Sequence, residues 1–174
     1  MSVANATRQA EALLDEVGVQ SAPVDVRKIA LKLGLRVVEE DLDEDVSGAL
    51  VSNPERVAIL VNSDHHDNRK RFTIAHELGH YVLRHQFEEG GHVHVDRGNY
   101  ISLRGKRASE GVDPKEIEAN WFAASLLMPA ALVRTHVAKI GTRALHDQHV
   151  TRLAEEFSVS EQAMTIRLST LGLL

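Results

Sequence analysis

The run His76-Glu77-Leu78-Gly79-His80 sits inside an apolar segment, with Arg71-Phe72-Thr73-Ile74-Ala75 before it and Tyr81-Val82-Leu83 after it. On a helix, residues four apart lie on one face, about one turn from each other. His76 and His80 would then present two imidazoles on the same side, where they can bind one Zn²⁺. Glu77 is rotated by about 100° from His76. It is not stacked with the histidines, yet it can reach a water held at the metal as a general base. The spacing of Ile74, Ala75, Leu78 and Val82 predicts a helix buried along one side. Gly79 costs about 1 kcal/mol against Ala in a helix interior, which marks it as a close-packing position.

The composition bounds the alternatives. A chain of 174 residues suits one domain with at most a small appendage. Hydrophobic residues make up 43%, enough for a core, and the 4% aromatic content makes that core mainly Leu, Val, Ile and Ala. A net charge of −5 argues against a generic nucleic-acid binder. The absence of cysteine excludes disulfides, thiolate zinc sites and cysteine nucleophiles. Residues 1–14 have one Arg and no apolar h-region. No stretch approaches the roughly 18–20 apolar residues of a membrane span. The expectation is a soluble, cytoplasmic protein without a membrane partner.

Along the chain, residues 5–17 carry Ala6, Ala10, Leu13, Leu14 and Val17 at helical spacing, with Gly18 as a stop. Asp25 opens a second helix that Gly34 ends. Residues 35–39 read as a strand, and the acidic run 39–45 as a solvated loop. Residues 46–52 and 56–61 read as strands flanking the turn Ser52-Asn53-Pro54-Glu55, giving a small antiparallel sheet with a hairpin. Residues 62–68 read as a polar loop. The stretch 86–113 is long, polar and rich in Gly, Lys and Arg, with a possible edge strand at His92-Val93-His94-Val95. It reads as a solvated loop or as a substrate-contacting one.

Asp113-Pro114 starts a further helix, with Pro at its first position. It is apolar nearly all round and stops at Pro129, so it should be central. Helical patterns follow at about 130–139, 150–157 and 160–171, and Ser158-x-x-Glu161 has capping-box spacing. The expected class is α+β: a mostly helical, zincin-like domain over residues 1–135 with a small antiparallel sheet. Residues 136–174 would form a helical, helix-turn-helix-like segment packed on it.

A catalytic zinc usually takes three protein ligands plus a water. His85 lies nine residues beyond His76, off the ligand face by helical phase, and reads as a surface histidine. His92 and His94 would share a strand face and compete for the role. His136, His146 and His149 are weaker candidates. Glu116 and Glu118 lie in the apolar helix, where a carboxylate is costly unless paired or metal-bound. Glu116 and Asn120 share a face, which suits a ligand and a hydrogen-bonding partner for a ligating histidine. Glu116 is therefore preferred, with Glu118 as the alternative. Both could also simply favour a helix N-terminus.

The segments Arg69-x-Arg71-Phe72-Thr73-Ile74-Ala75-His76-Glu77-Leu78-Gly79-His80 and Glu116-Ile117-Glu118-Ala119-Asn120-Trp121-Phe122-Ala123-Ala124-Ser125-Leu126-Leu127-Met128-Pro129 resemble the ImmA/IrrE family of metallo-endopeptidases. Ser47-Gly48-Ala49-Leu50 and the pattern from Leu153 to Leu168 also match, so the resemblance covers about residues 24–172. It implies a gluzincin-like fold in a bacterial or phage-derived cytoplasmic zinc protease. It also implies a protein substrate, often a helix-turn-helix repressor. By the resemblance, His76, His80 and a Glu of the second segment are ligands and Glu77 is the base. The ExxxD pattern of gluzincins again favours Glu116. By the resemblance, a long C-terminal sensor domain like that of the radiation-response members is not expected.

The oxyanion of peptide hydrolysis needs a further donor; Tyr81, Tyr100, Arg104 or a tail histidine could supply it. The rival reading is a non-proteolytic regulator that binds a repressor or antitoxin partner, with zinc as a structural metal. Direct DNA binding by the tail is disfavoured, because Arg143, Arg152 and Arg167 stand beside Glu155, Glu156 and Glu161.

Overall fold

Two glycines fix how the layers meet. A Cβ at Gly48 would collide with the Thr73 side chain and lie 2.6 Å from the Leu60 carbonyl oxygen. A Cβ at Gly79 would lie 3.1 Å from Ala119 Cα and 3.2 Å from Phe122 Cδ1. Thr73 and Gly79 belong to one helix. That helix is pressed onto a strand at one point and onto a second helix at another.

The computed structural model describes residues 2–52, 56–85, 92–96, 113–141 and 145–174. The elements are, in order, α1 (Val3–Val17), α2 (Val26–Lys32), β1 (Arg36–Glu40), β2 (Gly48–Ser52), β3 (Val57–Asn62), α3 (Asp67–Val82), β4 (His92–Asp96), α4 (Pro114–Leu127), α5 (Ala130–Ile140), α6 (Asp147–Phe157) and α7 (Glu161–Thr170). This is the α+β class expected. The first two helices end and begin where their residues require: Gly18 takes a left-handed φ of 74°, and the Asp25 side chain accepts from Lys28 N.

The sheet has the order β1-β3-β2-β4. β2 pairs antiparallel with β3, as the hairpin reading expects, and also antiparallel with β4, but β1 pairs parallel with β3. The sheet as a whole is therefore mixed rather than antiparallel. The reason is strand order. The chain leaves β1, skips one strand position to start β2, and β3 returns into the gap running the same way as β1.

Asn62 holds that crossover. It ends β3, is buried, and its amide donates to the carbonyls of Leu42, Asp43 and Val46 at 3.2, 3.2 and 2.9 Å. The acidic run is thus anchored from below by a residue that reads in sequence as the first of a polar loop.

Eight consecutive residues of α3, Thr73 to His80, are buried. The sheet contacts one side and α4, itself buried along most of its length, contacts another. The C-terminal helices share the same core: Leu153, Phe157, Val159, Met164 and Leu168 join one cluster with Ile74, Leu78 and Phe122. Arg71 of α3 donates to the carbonyls of Val24 and Ser158 at 2.9 and 3.1 Å. Arg167 of α7 donates to the Met128 carbonyl at the end of α4 at 2.9 Å. Helix α5 runs through positions 135 and 136.

The capping-box reading of Ser158 is corrected. Ser158 closes α6 in a left-handed conformation, φ 52°, and Ser160 caps α7 by accepting from Ala163 N. A residue at positive φ cannot also serve as an extended N-cap. Among the described residues no single helix is long and apolar enough to cross a membrane.

Candidate metal centre

Helix α3 carries His76 and His80 one turn apart, and α4 crosses it with Glu116 in its first turn and Asn120 one turn later. The Asp113 side chain, accepting from Lys115 N, and Pro114 at the first position set where α4 begins. That start places Glu116 over the histidine pair.

Three donor groups converge there. His76 Nε2 and His80 Nε2 are 3.0 Å apart. Glu116 Oε2 is 3.1 Å from His76 Nε2, and its Oε1 is 3.4 Å from His80 Nε2. Tetrahedral zinc sites, with metal–nitrogen distances of about 2.0–2.1 Å, put neighbouring donors roughly 3.3 Å apart. The three edges match that spacing.

The protonation pattern also fits a cation. His76 Nδ1 lies 2.9 Å from Asn120 Oδ1. An amide oxygen only accepts, so Nδ1–H is the donor and the Nε2 lone pair faces His80 and Glu116. The Glu116 carboxyl is pulled two ways. Burial raises its pKa, but in the metal-free protein Nε2–H bonds and positive charge from protonated His76 and His80 outweigh that and hold it well below the usual carboxylate range; a bound cation would take the place of those protons. A carboxylate and imidazole lone pairs aimed at one point are what a cation satisfies. Among the described residues, His76, His80 and Glu116 are accordingly the group that could hold a metal ion. Glu116 keeps 29% of its side chain exposed while both histidines are buried. Among the described residues, the centre is therefore reached from the carboxylate side.

Glu77 is fully buried beside the ligand face of α3. Glu118 points away from the centre, with Oε2 2.9 Å from His85 Nε2. The reading of His85 as a surface residue is corrected: it is 5% exposed. Helical phase does not apply to it, because α3 ends at Val82 and Arg84 reverses the chain at φ 55°. The pairing of His85 with Glu118 went unseen in the sequence. The signal was there in the cost of a second carboxylate on a buried helix.

The other candidates lie elsewhere. His136 Nδ1 is 2.7 Å from Glu156 Oε2, and His146 and His149 cap α6. The Cα atoms of His92 and His94 pair in register with Ser52 and Leu50 on the edge strand, and their side chains lie outside what is described. Tyr100 and Arg104 lie outside the described residues. Tyr81 follows His80 directly and is partly buried.

Helix pairing, sheet and donor cluster together define an α+β protein built around an HExxH candidate metal site. Residues 30–169 match the model of a peptidase family described as the IrrE N-terminal-like domain. The chain belongs to this ImmA/IrrE family. The radiation response metalloprotease IrrE of Deinococcus radiodurans is 30% identical over 89 residues, 51% of this chain and 24% of that protein. Its namesake in Deinococcus deserti is 33% identical over 89 residues, 51% of this chain and 28% of that protein. Uncharacterized immunity region protein 2 of Bacillus phage phi105 is 28% identical over 102 residues, 59% of this chain and 57% of that protein. The matches thus span between about a quarter and just over half of these relatives' lengths.

Proposed function

We propose that the chain is a zinc-dependent endopeptidase that hydrolyses one or a few specific cytoplasmic proteins, a helix-turn-helix repressor foremost. The observation that carries this is the convergence of His76, His80 and the ionised Glu116 at tetrahedral spacing. Family membership and the metalloprotease relatives support it. The phage relative, named for an immunity region, supports a repressor as substrate.

Zinc bound by His76 Nε2, His80 Nε2 and the Glu116 carboxylate would supply an activated water and polarise the scissile carbonyl. Asn120 holds the His76 ring through Nδ1–H, which fixes both tautomer and orientation. Glu77, one residue after the first ligand, takes the proton of the attacking water and returns it to the leaving amine. The open carboxylate side is where a peptide enters. Residues 1–135 carry this chemistry, and the helices of residues 136–174 brace the two ligand-bearing helices.

The Glu77→Gln variant tests this reading with a repressor encoded beside the gene. Fold and zinc content should be unchanged, since no ligand is removed. Cleavage should fall by at least ~10²-fold, the low end for general acid–base catalysis. A variant that still yields two fragments at the wild-type rate would refute the protease assignment.

A further inference from the structure

Beyond His80, α3 closes with a Schellman-type turn, Arg84 N–H bonding to the Tyr81 carbonyl at 3.2 Å. Arg84 takes φ 55°, a conformation uncommon outside glycine. The reversal brings His85 N to 2.9 Å from the His80 carbonyl oxygen and turns the His85 side chain back into the protein. Its ring then meets the His80 ring edge-on, with centroids 5.2 Å apart and planes at 74°. The His76 ring makes a similar contact with His80, at 4.7 Å and 64°.

His85 Nε2 is 2.9 Å from Glu118 Oε2, and both side chains are more than nine-tenths buried. Glu118 is two residues from Glu116, about 200° around the helix. The two ligand-bearing helices are therefore joined twice: once through the donors at the candidate centre, and again through His85 and Glu118. Two buried polar groups used only for packing are commonly replaceable by apolar residues of similar volume. This pair instead stands against the ring of a donor.

We propose that His85 and Glu118 are positioning residues for the metal centre, their bond holding the His85 ring against His80 so that His80 Nε2 stays aimed at His76 and Glu116. The proposal rests on the metal-centre reading above. The His80 ring turns about two side-chain bonds, and the rings of His76 and His85 both bear on it edge-on. Asn120 orients the His76 ring by a hydrogen bond, and the His85–Glu118 couple bears on the His80 ring through the contact of the two imidazoles.

The test uses the full chain and the variants His85→Ala, Glu118→Ala and Glu118→Gln. Three quantities are measured: zinc affinity by chelator competition, the visible absorption of the cobalt-loaded protein, and the thermal midpoint of the metal-free protein. Both alanine variants should bind zinc about tenfold or more weakly, and their cobalt bands should shift. Glu118→Gln, whose amide oxygen can still accept from His85 Nε2–H, should behave close to wild type. Should His85→Ala fail to fold, the two Glu118 variants decide the matter. Alanine variants with wild-type zinc affinity and an unchanged cobalt spectrum would assign the couple to stability alone and overturn the proposal. A glutamine variant as weak as Glu118→Ala would overturn it too, since charge rather than the bond would be responsible. His80→Ala serves as control: wild-type zinc affinity there would remove the metal-centre reading itself.

Discussion

His76 Nε2 and Glu116 Oε2 lie 3.1 Å apart although 40 residues of chain separate them. One comes from the middle of α3 and the other from the first turn of α4. The candidate centre is therefore a property of how these helices pack. Gly79, pressed against Ala119, sets that packing one residue before His80.

The two carboxylates of α4 should separate in a metal-binding assay. Glu116→Gln removes a donor and should weaken zinc by more than about 100-fold, beyond the usual effect of outer partners. Glu118→Gln leaves all three donors in place and should change affinity little. Chelator competition on both purified variants gives the comparison, and the reverse order would move the third ligand to Glu118.

At Gly48 any side chain must push β3 or α3 away, because a Cβ meets the Leu60 carbonyl and Thr73. Overpacking of this kind typically costs about 1–3 kcal/mol. Gly48→Ala should lower the denaturant midpoint accordingly without altering zinc stoichiometry. A midpoint equal to wild type would show that the strand–helix contact has slack.

Asn62 offers a sharper test, with a pH dependence. Its amide donates to three carbonyls, so Asn62→Asp points a carboxylate at three acceptors. The folded state then favours the protonated acid, raising its pKa above the unfolded value near 3.9. The variant should be destabilised by about 2 kcal/mol or more at neutral pH. It should recover part of that as pH falls through the raised pKa, as measured by urea unfolding at several pH values. An offset from wild type that does not change with pH would contradict the role given to Asn62.

Arg71 ties α3 to the turn before α7 and to the loop before α2. Hydrogen bonds from a charged group contribute about 1.5–3 kcal/mol each. Arg71→Met should therefore lower stability by roughly 3 kcal/mol and accelerate amide exchange in α7 relative to β3. Equal protection in both elements would detach the C-terminal helices from α3 energetically.

What was readable in the sequence follows a physical line. Elements defined by local signals came through: the apolar period and the Asp113-Pro114 start located α3 and α4. The shared face of Glu116 and Asn120 followed from helical phase, because both stay within one regular helix. Non-local features did not come through. The parallel pairing of β1 depends on strand order, which no spacing encodes. Asn62 reads as loop because its partners are carbonyls of a segment joined only in the fold. His85 falls on the surface only if helical phase continues past the end of α3, and Arg84 gives no residue-level sign of a left-handed turn. Ser158 and Ser160 are both plausible caps by composition, and only the backbone angle separates them.

The account stands most directly on the metal content of the purified chain. Elemental analysis should find about one zinc per wild-type chain, as three protein ligands and a water imply. The double variant His76→Ala/His80→Ala should contain none. Full zinc occupancy in that variant would contradict the assignment of the centre and, with it, the proposed chemistry.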